Sequence, residues 1–406
     1  MPLPDHERVV ILGAGFGGLE LAARLSEAMP ERLSITLIDR NKGFTFGFSK
    51  LDVLYRGQTP AEVEISYDAV AMPGVEFRRE QINAIDPVRR RVVTDAGTYE
   101  ADILVVALGA DYDQAATPGF VEAGFEFYSV AGAQRLAEHL ETFEGGDILL
   151  AILGVPFKCP PAPYEAALLL HDHLVAKGVR EATSIELMTP MASPIPVSES
   201  ASTAIVEALT ARGIRYTPDT RVQAIDPVAH RAKLRGGSRL FDLFIGVPVH
   251  RVPEVVARSG LTEGGNDGWV AVDAKTLQTS FPHVYAIGDC ADAPVPRAGV
   301  FAESAARTAA AHIIATLTGS GDVPAYDGSG ACYLEFGAGL VGKVDANFLG
   351  GPKPVAPLRG PSAEFAQEKA QWAAERRARW FVNPPRQRSP AATERLSPSR
   401  PARRAT

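Results

Sequence analysis

The feature that most constrains this chain is a glycine cluster, Gly13-Ala14-Gly15-Phe16-Gly17-Gly18, set between an apolar run at 9–12 and a helical pattern at 19–29. Glycines at 13, 15 and 18 have the spacing GxGxxG. The first suits a tight turn, the second a close approach of backbone to a pyrophosphate, and the third close packing of helix on strand. A helix N-terminus placed there attracts phosphate. A second strand at 34–38 runs into Asp39, about 20 residues beyond the last glycine, where an acid binds a ribose diol. Phe16, inside the cluster, and Arg40, after the acid, belong to the same candidate nucleotide site. Strand, glycine turn, helix and strand make a βαβ opening, which implies a parallel sheet with a right-handed crossover.

The chain has 406 residues, too many for one typical domain. Residues 75–100 alternate as an antiparallel meander would, and 103–107 reads as a buried strand. The α/β pattern then starts again: a strand from Asp147, a proline-rich turn, a helix at 164–177, a strand at 184–188 and a helix at 201–212. Strands are expected again at 268–289 and 330–345, and helices at 298–317 and 362–381. The expected class is α/β, with two Rossmann-like dinucleotide-binding domains, the second inserted in the first. Residues 1–112 with 251–325 form the outer domain and 113–250 the inserted one. A C-terminal strand and helix region at 326–381 follows, then a basic, disordered tail at 382–406 rich in Pro, Arg and Ser.

A net charge of −7 argues against a nucleic-acid partner. No apolar run approaches the ~18–20 residues of a membrane span. The first residues are short and polar and do not read as a signal peptide, so a cytoplasmic location is expected. Three cysteines, Cys159, Cys290 and Cys332, are too few for a disulfide framework and lack zinc-like spacing. His171 and His173 lie two apart on a helix and face different ways, so no metal is expected. Trp372, Trp380 and Phe381, with Arg376, Arg377 and Arg379, suit a helix docked on the protein body or touching a membrane surface.

Two further segments resemble flavoproteins with two dinucleotide-binding domains. Thr279 to Asp289 (TSFPHVYAIGD) is similar to their TxxxxhhhhGD motif, and Tyr99 to Gly109 (YEADILVVALG) to the strand and glycine turn before their second domain. The resemblance implies noncovalent FAD, with Gly109, Gly288 and Asp289 in its site and the aspartate on the ribityl chain. Ala298 and Gly299 would open a helix whose positive end favours the reduced, anionic ring. In relatives that use NAD(P)H a second GxGxxG stands where this chain has Leu153 to Glu165 (LGVPFKCPPAPYE). One glycine and four prolines remain, and proline removes the N–H donors a pyrophosphate needs.

That proline turn and Ala331-Cys332-Tyr333-Leu334-Glu335-Phe336 resemble the sulfide:quinone oxidoreductases and the flavin subunit of flavocytochrome c sulfide dehydrogenases. The stretch 295–303 (VPRAGVFAE) is also close to them, and the likeness runs to about Phe381. It implies a redox pair, with Cys332 as the flavin-facing sulfur, Cys159 as the sulfur-carrying one and Glu165 moving protons. A small sulfur donor, a quinone acceptor, peripheral contact with the inner membrane face and a second copy of the chain are the partners it implies. Cys290, directly after the FAD aspartate, reads as packing. A third cysteine that some members carry is missing here. An NAD(P)H-dependent quinone or disulfide reductase, and an FAD-holding sensor with little turnover, are the alternative readings.

Overall fold

The computed structural model describes residues 6–319 and 323–381, so the tail at 382–406 lies outside the described residues. Its first sheet is wholly parallel, in the order Val284–Ala286, Ile103–Val106, Glu7–Leu12, Leu33–Asp39, Val75–Arg79. The second is also parallel, in the order Gly124–Phe125, Leu243–Val247, Gly146–Ile152, Thr183–Met188, Ile214–Thr217. Parallel sheets are covered on both faces, so their central strands are apolar throughout. Ile103–Val106 and Leu243–Val247 are buried at every position. Each sheet is accompanied by a three-stranded antiparallel meander, at 82–100 and 222–240. The two units thus repeat one plan. A ribbon of Asp111–Asp113 against Val249–Arg251 marks where the chain crosses between them.

Four helices position the site: α1 (Phe16–Ala28), α2 (Ala162–Lys177), α3 (Gly299–Thr318) and α4 (Ala363–Phe381). Ala22 and Ala23 of α1 share a core with Ala305, Ala306, Ala309 and Ala310 of α3. These small side chains let the two helices approach closely. An antiparallel sheet of Ser329–Gly337, Leu340–Asn347 and Leu358–Ser362 packs its first strand on α2 and carries α4 on its other members. Trp380 and Phe381 anchor α4 in the core of the first unit.

Two expectations need correction. Residues 75–79 are not part of the meander; they form the edge of the parallel sheet, beside Leu33–Asp39. The stretch 268–289 contains one strand only, Val284–Ala286, with isolated bridges. Left-handed backbone at Leu277 and His283 (φ of 63° at both) interrupts any longer ladder. The Asp273 carboxylate turns the chain there by accepting from the amides of Lys275 and Thr276.

Candidate active site

A cavity of about 740 Å3 runs from the glycine turn to the proline turn. Gly13 sits at φ +98°, where an added Cβ would lie 2.4 Å from the Ala107 carbonyl oxygen. At Gly18 a Cβ would lie 1.9 Å from the Gly13 oxygen, so this glycine holds helix against strand. At Gly15 a Cβ would meet nothing within 4 Å, because that face of the turn opens on the cavity. Asp39 accepts from the Ala14 amide at 2.8 Å and from Asn41, and lines the same cavity with Phe16 and Arg40. Gly109, Gly288, Asp289, Ala298 and Gly299 line it further along. Asp289 is half-buried, and desolvation raises its carboxyl above the usual range against the opposing fields of Lys158, Arg297 and Lys50. Of the glycine-turn residues named from sequence, Gly18 stands outside the lining, in its packing role.

The far wall is the proline turn. Cys159 takes a left-handed conformation, φ 51°, uncommon for a side chain with a Cβ. Its amide donates to the Arg297 carbonyl at 2.7 Å, which ties the turn to the loop leading into α3. The residue is exposed to the cavity. Burial raises the thiol's pKa, with the Glu165 and Cys332 charges adding to it. Cys332, on Ser329–Gly337, is half-buried against the core of the second unit and its thiol is pushed up to about 12, by burial and then by Glu165. The two thiols and Glu165 are therefore electrostatic neighbours, although 159 and 332 are remote in sequence. Docking of Ser329–Gly337 on α2 joins them. Of the two, Cys159 is among the residues that line the cavity, while Cys332 is half-buried on Ser329–Gly337.

Glu165 is in the first turn of α2, buried, and lines the cavity. Its carboxyl is pushed up to about 7 by burial, against the field of Lys369 and with that of Glu335. Its Oε1 accepts from the Glu335 amide at 2.9 Å. The Glu335 carboxylate is held by Lys369 Nζ at 2.5 Å and by Arg56. Cys290 is fully buried, its sulfur 3.4 Å from the carbonyls of Val106 and Ile287, which makes it a packing residue.

The sequence profile of the family described as pyridine nucleotide-disulphide oxidoreductase matches residues 7–312. This chain belongs to that family. It is 28% identical over 396 residues to the sulfide-quinone reductase of Aquifex aeolicus, covering 90% of this chain and 87% of that protein. It is 23% identical over 372 residues to the mitochondrial sulfide:quinone oxidoreductase of Mus musculus, covering 87% and 81%. The X-ray structure of the Aquifex aeolicus sulfide:quinone oxidoreductase superposes with a TM-score of 0.81 at 22% identity, over 92% of both chains.

The chain is thus an FAD-dependent oxidoreductase, and the cavity fits that cofactor. An open glycine face, a ribose acid and a second acid before a helix N-terminus stand in the order a dinucleotide needs. Where a second nucleotide would be held, Thr189 follows Thr183–Met188 and is fully buried, so no ribose acid stands there. Among the described residues no helix is long and apolar enough to cross a membrane. Helix α4 docks on the body: Arg376 pairs with Glu303, and Arg379 and the Trp380 indole N–H with Glu20. The sequence reading missed Lys369, Glu335, Lys158 and Tyr128. Helical spacing places Lys369 on the same face as Phe365, Trp372, Arg376 and Trp380, which was a signal for a buried cation.

Proposed function

We propose that this protein oxidises hydrosulfide, or a related thiol or persulfide, at the Cys159/Cys332 pair and passes two electrons through FAD to a quinone. The observation that carries this reading is Cys159 itself. It stands on a cavity wall that offers no second pyrophosphate cradle, within electrostatic reach of Cys332 and a carboxyl that titrates near neutrality.

The chemistry starts from a Cys159–Cys332 disulfide. Hydrosulfide attacks the Cys332 sulfur; the old S–S bond breaks and a new one forms. Cys332 becomes a persulfide and the electron pair of the broken bond stays on Cys159 as a thiolate. Glu165, whose charge acts on both sulfurs, takes the proton the donor loses. Joining thiolate and persulfide as a trisulfide releases two electrons, which FAD held by the glycine turn, Asp39 and Asp289 would take up and pass on. A thiol acceptor removes the middle sulfur by exchange. The relatives in mouse and Aquifex, named for sulfide and quinone, support a quinone as the acceptor.

Anaerobic stopped-flow of the FAD spectrum tests the reading. Hydrosulfide bleaches the flavin much faster than NADH, and Cys159→Ser or Cys332→Ser slows it by orders of magnitude. Equal rates in the wild type and both variants overturn the sulfur relay. Faster bleaching by NADH makes the protein a nicotinamide-dependent reductase instead.

A further inference from the structure

The cavity wall that carries Cys159 also carries a residue whose hydroxyl has no partner. Tyr128 precedes the helix Val130–Thr142, is 5% exposed, and its ring lines the cavity together with Cys159 and Glu165. Its backbone is fixed: the Tyr128 amide donates to Glu126 at 2.5 Å, and its carbonyl accepts from the Tyr112 hydroxyl at 2.8 Å. Its own hydroxyl is buried and makes no hydrogen bond within the protein. A buried O–H left unpaired is costly, and native proteins seldom keep one without a use. Of the charges around that hydroxyl, a Cys159 thiolate would act on it most strongly, ahead of Tyr112, Glu165 and Tyr164.

The Cys159 sulfur has the complementary problem. As a thiol it is a weak acceptor; as a thiolate it is a strong one. Its surroundings oppose ionisation through burial, the Glu165 carboxylate on α2 and the Cys332 sulfur on Ser329–Gly337. In its favour stand the Ala162 amide at the start of α2 and the more distant ammonium of Lys369 on α4. Nothing in that set is a side-chain donor directed at the sulfur.

We infer that the Tyr128 hydroxyl is the hydrogen-bond donor that stabilises the Cys159 thiolate released when the disulfide is opened. The inference rests on the sulfur relay proposed above and gives it the group that makes the thiolate a usable leaving group. The hydroxyl finds its acceptor only in that state. Tyr128 would bias the exchange so that the electron pair stays on the cavity-facing sulfur and the persulfide forms on Cys332.

The test is the pH dependence of iodoacetamide alkylation in the reduced holoenzyme, read residue by residue by mass spectrometry of the digest. In Tyr128→Phe the Cys159 midpoint rises by about one to two pH units, a roughly ten- to hundredfold slower alkylation below it, and Cys332 is unchanged. Replacing Tyr128 by 3-fluorotyrosine, a stronger donor of the same shape, lowers the Cys159 midpoint. An unchanged midpoint in both proteins overturns the inference; it is the result expected if a water bridges the hydroxyl to His250, whose ring centroid lies 5.3 Å from that of Tyr128 and whose buried Nε2 also lacks a partner. Hydrosulfide bleaching of Cys159→Ser, run alongside, separates the two levels. Wild-type bleaching there removes the relay itself, whereas lost bleaching with an unmoved Tyr128→Phe midpoint removes only Tyr128.

Discussion

Replacing Gly15 and Gly18 by alanine, one at a time, separates cofactor binding from folding within one turn. Gly15 has φ −79°, open to any residue, and a Cβ there touches nothing within 4 Å. Gly15→Ala therefore leaves the apoprotein as stable as before, or stabilises it by up to about 1 kcal/mol through the unfolded chain. The added methyl stands where the pyrophosphate must approach. At a free FAD concentration of about 100 times Kd the wild type gains about 2.7 kcal/mol from binding, and this variant loses most of it. Gly18→Ala behaves oppositely. Its Cβ would lie 1.9 Å from the Gly13 carbonyl oxygen, so strand and helix must separate, a change that costs about 1–3 kcal/mol in the apoprotein. Thermal unfolding of each apoprotein with and without added FAD, with flavin absorbance of the purified proteins, reads both effects. A Gly15→Ala protein that binds FAD with wild-type affinity refutes the assignment of the cavity.

Two other perturbations have a definite sign. Glu165 titrates at about 7 in the folded protein against 4.5 for an ordinary glutamate. A carboxyl raised by folding stabilises fully below 4.5, and that contribution, up to about 3 kcal/mol, is lost as pH rises through 7. Glu165→Gln therefore gains stability on the wild type between pH 4.5 and 7, measured as the difference in urea unfolding free energy, and loses the pH inflection of flavin bleaching near 7; a difference that stays flat with pH contradicts the buried-acid reading. Trp380→Ala empties a site that is 1% exposed and frees Glu20 of one donor, so it costs about 3–5 kcal/mol and opens α4 to limited proteolysis. An unchanged urea midpoint would show that α4 is held elsewhere.

The nucleotide half of the site was legible because it is local. Gly13, Gly15, Gly18 and Asp39 form one βαβ unit, and backbone demands dictate each residue type. The loss of the second cradle was legible for the same reason, since prolines cannot donate. Which of the two cysteines lines the cavity was not. It depends on the left-handed backbone at Cys159 and on which strand covers α2, and neither is encoded in spacing. Lys369 and Glu335 escaped because a buried ion pair looks like any exposed pair until its tertiary neighbours are known. Residues 268–289 were overread as strands because an apolar run can satisfy its backbone through turns at Asp273 and Thr279 as well as through a ladder.

The bond from the Cys159 amide to the Arg297 carbonyl has a mechanical consequence. It fastens the second unit's chemical loop to the segment that ends at the first helical turn of α3, across the crevice between the two sheets. A hinge motion that separated the proline turn from that segment would have to break this bond. The two segments therefore shift together, so a substitution that moves the loop into α3 also moves Cys159.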